Sequence, residues 1–412
     1  MKINEVFTPR TSAVNLKTYV PRVSLEVALS RSIQGSMHSI LFGESGNGKS
    51  WLYKKVFAQM GFHYKVANCA NASRINSVSE EIYSALMPRG KVTKIGFDEI
   101  KEASVKAIVA DGKLSNNTHY KVDKIDPLYE SMSSFRSQIG TGDAIVVLEN
   151  LEAIFEQPNL MDELGNILLL LDDPVFGEFN IKFLIVGVPN GILEYFAKTK
   201  NIESVANRLE ELPKVGSLTK PMVGTLVEKG FNELLHMGLT AAELNEISTH
   251  VHHRTLGVAQ RVQEYCERLA YEIEDSKAGY TFSCLEESDK KWLSIGLRQA
   301  YTVIESHLNS KQTTIARRNQ AIYCIGHMNS HQIDALSIVE MIKTEFPNTA
   351  KETNMGLAAI LAELASTDSP LLRKNPKTKE YRIVDPRYLM CIRVMLYKNS
   401  TDYSIEKRFF KL

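Results

Sequence analysis

The sequence contains no run approaching the ~20 consecutive apolar residues that a membrane helix requires, and no signal peptide opens it. The expectation is a cytoplasmic protein with no membrane partner. Cysteine is scarce: Cys69, Cys266, Cys284, Cys324 and Cys391 are scattered, odd in number and free of any C-x-x-C pair. That argues against a disulfide framework and fits reduced, mostly buried thiols. Charge of one sign is lacking as well, since 49 basic residues face 48 acidic ones for a net charge of +1. A polybasic protein is excluded, so any nucleic-acid surface has to be a local patch. No N-K-x-D-like guanine reader and no helicase motif is present, which leans the reading toward adenine and away from a motor. What is there is ordinary globular composition, 44% hydrophobic and 24% charged over 412 residues. A chain of this length holds about two or three domains and easily buries a core.

The most specific stretch is Gly43-Glu44-Ser45-Gly46-Asn47-Gly48-Lys49-Ser50, which spells G-x-x-x-x-G-K-[ST]. His38 to Phe42 before it reads as a short buried strand, and Trp51 to Phe57 after it carries apolar residues at helical spacing. Glycines let the backbone approach phosphates, and the amides opening the helix, through Trp51, point at the anion. Lys49 then reaches the β- and γ-phosphates, and the Ser50 hydroxyl is positioned to ligate Mg²⁺. ATP and Mg²⁺ are the expected cofactors.

The second landmark is Asp143 to Asn150, a run of apolar residues ending in a carboxylate. It reads as a buried parallel strand that delivers Glu149 to the edge beside the P-loop. The acid and the residue after it are Glu149 and Asn150. Glu149 can hold Mg²⁺ through Ser50 or a water. Asn150 can orient a water but cannot accept its proton, and Glu152 is the nearest spare carboxylate. The expectation is a nucleotide site with slow hydrolysis.

Other positions carry two readings each. Arg22, just before a helix expected to be capped by Ser24, and Glu26 within that helix either flank the adenine or form a surface pair. Tyr64 to Ala70 reads as a second strand and Ser77 to Met87 as an amphipathic helix. Residues 88–125 read as an insertion, either a β-hairpin that touches a partner or a surface loop. Leu160 to Leu171 is expected to be helical. Lys182 to Asn190 is a further buried strand, whose tip Asn190 is either a γ-phosphate sensor or a turn residue. A helix from Ile192 to Lys198 follows. Arg208, before a strand expected at Leu212 to Val215, either stabilises γ-phosphate charge in a neighbouring subunit or sits in a surface ion pair. His250, His252 and His253 cluster near a helix end, where solvation is favoured over metal binding. Arg254 and Arg261 are candidate phosphate sensors from the helical stretch 219–275.

From about Glu286 the pattern changes to helices at Leu293–Leu308, Thr313–Met328, Ile333–Phe346 and Asn348–Ala365, then a hairpin and a last helix through Met395. Three helices and a hairpin make a winged helix. Its wing is basic, with Arg373, Lys374, Lys377, Lys379 and Arg382, whereas Lys351 in the expected recognition helix is balanced by Glu352, and Glu363 follows. DNA phosphates or a protein partner both suit it. The expected fold class is therefore α/β: a P-loop NTPase parallel sheet with a helical lid and a C-terminal winged-helix domain. The expected domains are an N-terminal segment near the adenine site (1–37), the P-loop core (38–218, with 88–125 inserted), the lid (219–285) and a helical and winged-helix domain (286–412).

Together, Gly43 to Ser50, Val146 to Asn150, Leu184 to Asn190, Asn207-Arg208 and Tyr381 to Arg387 resemble the AAA+/STAND branch of P-loop ATPases. The resemblance is to prokaryotic Orc1/Cdc6-like and archaeal-type ATP-binding proteins and spans most of residues 19–395. It implies an ATP-dependent homo-oligomer whose site is shared between neighbours, with Arg208 acting in trans. It further implies DNA or a protein effector engaged through the C-terminal domain, in replication loading, transposition or antiviral defence.

Overall fold

The computed structural model describes residues 1–87, 126–187, 202–309, 316–328, 332–349, 356–375, 378 and 380–408. The 88–125 insertion, Asn190, the Ile192 to Lys198 helix, Lys351, Glu352, Lys377 and Lys379 lie outside the described residues. The chain divides into two compact units, Pro21–Gly216 and a second one composed of Met1–Val20 with Ser217–Leu412. The stretch read as one N-terminal segment, 1–37, is thus divided between them.

The first unit is built on five parallel strands: β1 (His38–Phe42), β2 (His63–Asn68), β3 (Ala144–Glu149), β4 (Ile181–Gly187) and β5 (Leu209–Glu211). Their order across the sheet is β2-β3-β4-β1-β5. β3 and β4 are buried along most of their length, with Ile145, Val146, Val147, Phe183, Leu184 and Ile185 all fully inaccessible. A sheet covered by helices on both faces demands such continuous apolar runs. Two clusters of buried side chains occupy the two faces, one around Val146, Leu164 and Phe183 and the other around Leu41, Phe57 and Val147. The chain leaves β1 to build β2, β3 and β4 on one side and returns to place β5 on the other. That reversal puts the crevice for a ligand at the C-terminal end of β1.

Several element edges differ from the sequence expectation. The first helix runs Val23–Gln34 with Arg22 at its N-cap, so Ser24 lies inside it. The backbone amide of Arg22 is satisfied by the Glu26 carboxylate at 2.9 Å instead. Cys69 and Ala70 open a helix, Cys69–Ile75, because the Asn68 side chain accepts from the Ala70 amide and stops β2. β5 sits at Leu209–Glu211, and pairing with β1 continues as Leu212 and Val215 donate to the Ile40 and Phe42 carbonyls.

In the second unit, Lys220–Val227 continues as a π-helical stretch Glu228–Leu234, followed by helices Ala241–Thr255 and Ala259–Asp275. The stretch expected as one helix from Leu293 to Leu308 is two, Phe282–Ile295 and Arg298–His307. Gly296 interrupts them where a Cβ would lie 2.6 Å from the Trp292 ring. Helix Phe282–Ile295 crosses the 285/286 boundary, so the expected lid and C-terminal parts share an element. Helices Arg317–His327, Ala335–Glu345 and Leu357–Ser366 follow, with a three-stranded antiparallel sheet of Gln332–Ile333, Tyr381–Ile383 and Leu372–Lys374, in that spatial order. Ile3, Val6 and Phe7 pack into this unit's core, the Phe7 ring 5.2 Å from that of Phe231.

Candidate nucleotide site

β1 ends at Phe42, and Gly43 follows in a place where the backbone has no room for a side chain. A Cβ there would lie 2.3 Å from the Val215 carbonyl oxygen. Gly46 and Gly48 take φ values of 82° and 84°, the left-handed region that glycine enters without steric cost. Gly48 is the N-cap of helix Lys49–Met60 and offers no side chain to its first amides. Those amides, of Lys49, Ser50 and Trp51, carry the positive end of the helix dipole. Asn47 is buried, and its Nδ2 donates to the Val215 carbonyl at 3.3 Å, pinning the loop to the segment after β5. Glu44 pairs with Lys214 at 3.1 Å, and Ser45 is exposed.

Lys49 is half-buried, and its Nζ donates to the carbonyls of Gly43 at 2.7 Å and Glu44 at 3.2 Å. Burial lowers its pKa, and the carboxylates of Glu152, Glu44 and Glu149 oppose that shift. Glu152, the spare acid in the sequence, therefore shares the electrostatic neighbourhood of Lys49. An ammonium held among carbonyls is poised to exchange them for phosphate oxygens, which carry full charge.

Glu149 closes β3 and meets the P-loop helix. Its Oε1 accepts from Ser50 Oγ at 2.7 Å and from the Tyr53 hydroxyl at 2.9 Å. Residues 50 and 149 are thus brought together although β4 lies between β1 and β3 in the sheet. A serine hydroxyl that donates to a carboxylate keeps two lone pairs for a cation, so this donor set fits a hard divalent ion such as Mg²⁺. Among the described residues no group of three or more His, Cys, Asp or Glu is placed to hold a metal. Such a site draws on phosphate and water for its remaining ligands.

Asn150 is exposed and takes φ 59°, and its Nδ2 donates to Asn68 Oδ1 at 3.0 Å. Asparagine is among the few residues that enter this region readily, which gives a backbone reason for its presence where a longer acid is strained. Sequence reasoning missed Tyr53 and Asn68. The first had a signal, since position 53 lies one helical turn from Ser50 and faces the same way; the second depends on pairing of Asn68 with Glu149 in the β2–β3 register.

Arg208 directly precedes β5. Its Nε pairs with Asp172 at 2.6 Å, and its Nη1 donates to the Ser204 carbonyl at 2.5 Å. Arg22 Nη1 donates to the Gly216 carbonyl at 2.8 Å, while Glu26 also takes Lys55 at 2.8 Å. In the second unit, Arg254 reaches Asp289 at 3.3 Å and Arg261 pairs with Glu264 at 2.6 Å. His250 also bonds Asp289, at 3.0 Å, so it is engaged within the helices and not left to solvent.

No protein-family model and no curated protein matches the sequence. Among solved structures the chain is similar to a Walker-type ATPase of Pyrococcus abyssi, at 14% identity and a TM-score of 0.53, covering 94% of this chain and 99% of that one. It is also similar to the Orc2 protein of Aeropyrum pernix in its ADP form, at 14% identity and a TM-score of 0.48, covering 95% of this chain and 96% of that one. The Orc1 protein of the same organism, in complex with DNA, matches at 12% identity and a TM-score of 0.45, with 95% and 96% covered. No helix among the described residues is long and apolar enough to cross a membrane. The parallel sheet, the glycine loop at its reversal point and the likeness to the Pyrococcus protein agree: this chain has the P-loop NTPase fold of the Walker-type ATPases.

Proposed function

We propose that the protein is an ATP-binding switch of the AAA+ type with slow hydrolysis. The observation that carries this reading is the 2.7 Å hydrogen bond from Ser50 Oγ to Glu149 Oε1, which joins the glycine loop to the acid at the tip of β3. The loop from Gly43 to Ser50 and the Trp51 amide cradle the phosphates, and Lys49 neutralises the β- and γ-oxygens. Ser50 and Glu149 hold the metal. Bound Mg²⁺ would supply charge neutralisation between the β- and γ-phosphates. Asn150 orients the attacking water without accepting its proton, so turnover is slow. Asn190 senses the γ-phosphate.

Arg208 acts on a neighbouring subunit's nucleotide. Its partner Asp172 is half exposed, at 52%, and an ion pair at such a surface is worth only ~0–1 kcal/mol. Exchange of Asp172 for a γ-phosphate is therefore cheap, which supports ATP-dependent assembly of a homo-oligomer. We assign the lid to residues 219–285 and the winged-helix part to 286–412, with helix Phe282–Ile295 shared between them.

We assign DNA contact to the hairpin Leu372–Lys374/Tyr381–Ile383. Arg373 and Arg382 face each other directly across it, and both are exposed. Two neighbouring exposed guanidinium groups suit contact with a phosphate backbone. Helix Leu357–Ser366 is a different matter. It is Leu- and Ala-rich, and its Glu363 pairs with Arg318 at 3.0 Å. Base reading in a groove needs polar side chains there. That observation favours a second reading, in which this helix meets a protein effector and the protein is its nucleotide-gated regulatory subunit.

Light scattering tests the assembly. Wild type and Lys49→Ala are compared with ATP, ADP and no nucleotide, each with and without duplex DNA. The expected result is ATP-driven assembly in wild type alone, with DNA joining it. If ATP binds but no assembly follows, Arg208 has no role in trans. If ATP does not bind, the switch itself is wrong.

A further inference from the structure

Tyr53 has no part in the site as read from the P-loop and the β3 acid, yet it touches the same carboxylate. Its hydroxyl donates to Glu149 Oε1 at 2.9 Å, the atom that also accepts Ser50 Oγ at 2.7 Å. A carboxylate oxygen has two lone-pair sites, so these two donors fill Oε1. Oε2 is left as the oxygen with capacity for another ligand.

The tyrosine is built to stay where it is. It is fully buried, and its ring lies 5.4 Å from Phe57 and 5.9 Å from Tyr64, the latter in an edge-on arrangement. A phenol beside a carboxylate donates its hydroxyl proton to it, and the packed ring keeps that donor aimed at Glu149. Position 149 carries a glutamate, one methylene longer than aspartate and with one more torsion to fix. A buried phenol at the next helical turn from Ser50 removes that freedom.

We infer that Tyr53 is a positioning residue that orients the Glu149 carboxylate for the metal, compensating for the longer acid at the end of β3. The inference rests on the reading of this site as one for Mg²⁺ and nucleotide. It assigns Tyr53 no contact with the nucleotide. Tyr53→Phe keeps the packed ring and removes only the hydroxyl.

The test is binding of a fluorescent ATP analogue as a function of Mg²⁺ concentration and, separately, in EDTA. Loss of a partner of a metal ligand typically costs about 10- to 100-fold in metal affinity. Tyr53→Phe is therefore expected to raise the half-saturating Mg²⁺ concentration at least ~10-fold, with binding in EDTA equal to wild type. Tyr64→Phe removes a neighbouring hydroxyl and is expected to leave the Mg²⁺ requirement as it is. In a Glu149→Asp background the carboxylate retreats from Tyr53, so Tyr53→Phe is expected to add nothing further. Unchanged Mg²⁺ dependence in Tyr53→Phe overturns the inference, as does an effect equally large in the Glu149→Asp background or an equal loss of binding in EDTA. Absence of analogue binding by wild type overturns the site reading itself, and this inference with it.

Discussion

His38 opens β1 from a buried position, 6% exposed, where its Nδ1 accepts the Phe183 amide at 3.2 Å. Burial, helped by the charge of Lys182, lowers its pKa to about 4. The native state therefore excludes a proton that the unfolded chain binds below about 6.5. Stability from this group is complete above pH 6.5 and is lost as pH falls toward 4, by about 3 kcal/mol over that window. Denaturant melts at pH 7 and pH 4.5 are expected to differ less in His38→Asn, whose side-chain oxygen replaces Nδ1 as acceptor. At the same scale, the proposed role of Asn150 predicts that Asn150→Glu, which adds a base at that position, raises ATP turnover ~10-fold or more, measured as phosphate release. Its left-handed backbone makes the same change cost about 1 kcal/mol in stability. Of the site residues the sequence marked Ser50 and Glu149, which the structure brings into hydrogen-bond contact. It did not expose Tyr53, because a tyrosine in an apolar helix reads as core until its hydroxyl has a partner.

Elements were legible where period and burial agree, and less so where distant groups set their ends. β1, β3 and β4 are continuous apolar runs and stand where expected. The helix Val78–Leu86 shows the other case. Ser77 caps it, accepting from the Glu80 amide, and the Glu163 carboxylate also accepts from the Val78 and Ser79 amides at 2.8 and 2.9 Å. That second cap arrives from helix Pro158–Leu170 and has no local signature. Glu163→Ala is expected to destabilise the first unit by about 1–2 kcal/mol, seen as a lower urea midpoint with an unchanged slope. The β5 region was displaced in the sequence reading because Pro213 and Lys214 interrupt its pattern while Leu212 and Val215 still bond to β1. Gly43 depends on that same neighbour. Gly43→Ala forces the backbone of Val215 away and is expected to leave the protein unable to fold or to bind ATP, checked by far-ultraviolet circular dichroism and analogue binding.

For the molecule as a whole, the resemblance read from the motifs holds at the level of fold, over 94% of the chain. Its division into units was not legible, since helical periodicity marks helices without saying which of them share a core. One example is Asp289, which is fully buried and takes His250 and Arg254 from helix Ala241–Thr255, Tyr265 from helix Ala259–Asp275 and Arg408 from just after strand Ile405–Lys407. Burial tends to raise its pKa, but the His250 bond and the Arg254 charge hold it below the usual carboxylate range. Asp289→Ala strands two guanidinium groups and is expected to cost about 3–5 kcal/mol, seen as a lowered thermal midpoint. At this scale too, charge reversal of Arg373 and Arg382 together is expected to lower DNA affinity. The logarithmic salt dependence of binding flattens at the same time, by nearly one for each phosphate the hairpin no longer neutralises.

Because Ile3, Val6 and Phe7 belong with residues from Ser217 onward, the order of synthesis and the order of packing conflict. A ribosome adding roughly 5–20 residues per second needs on the order of 10–40 s to make the intervening ~200 residues. For that interval Ile3, Val6 and Phe7 have been made before the residues that form their core. Three apolar side chains made first thus wait for a core made last.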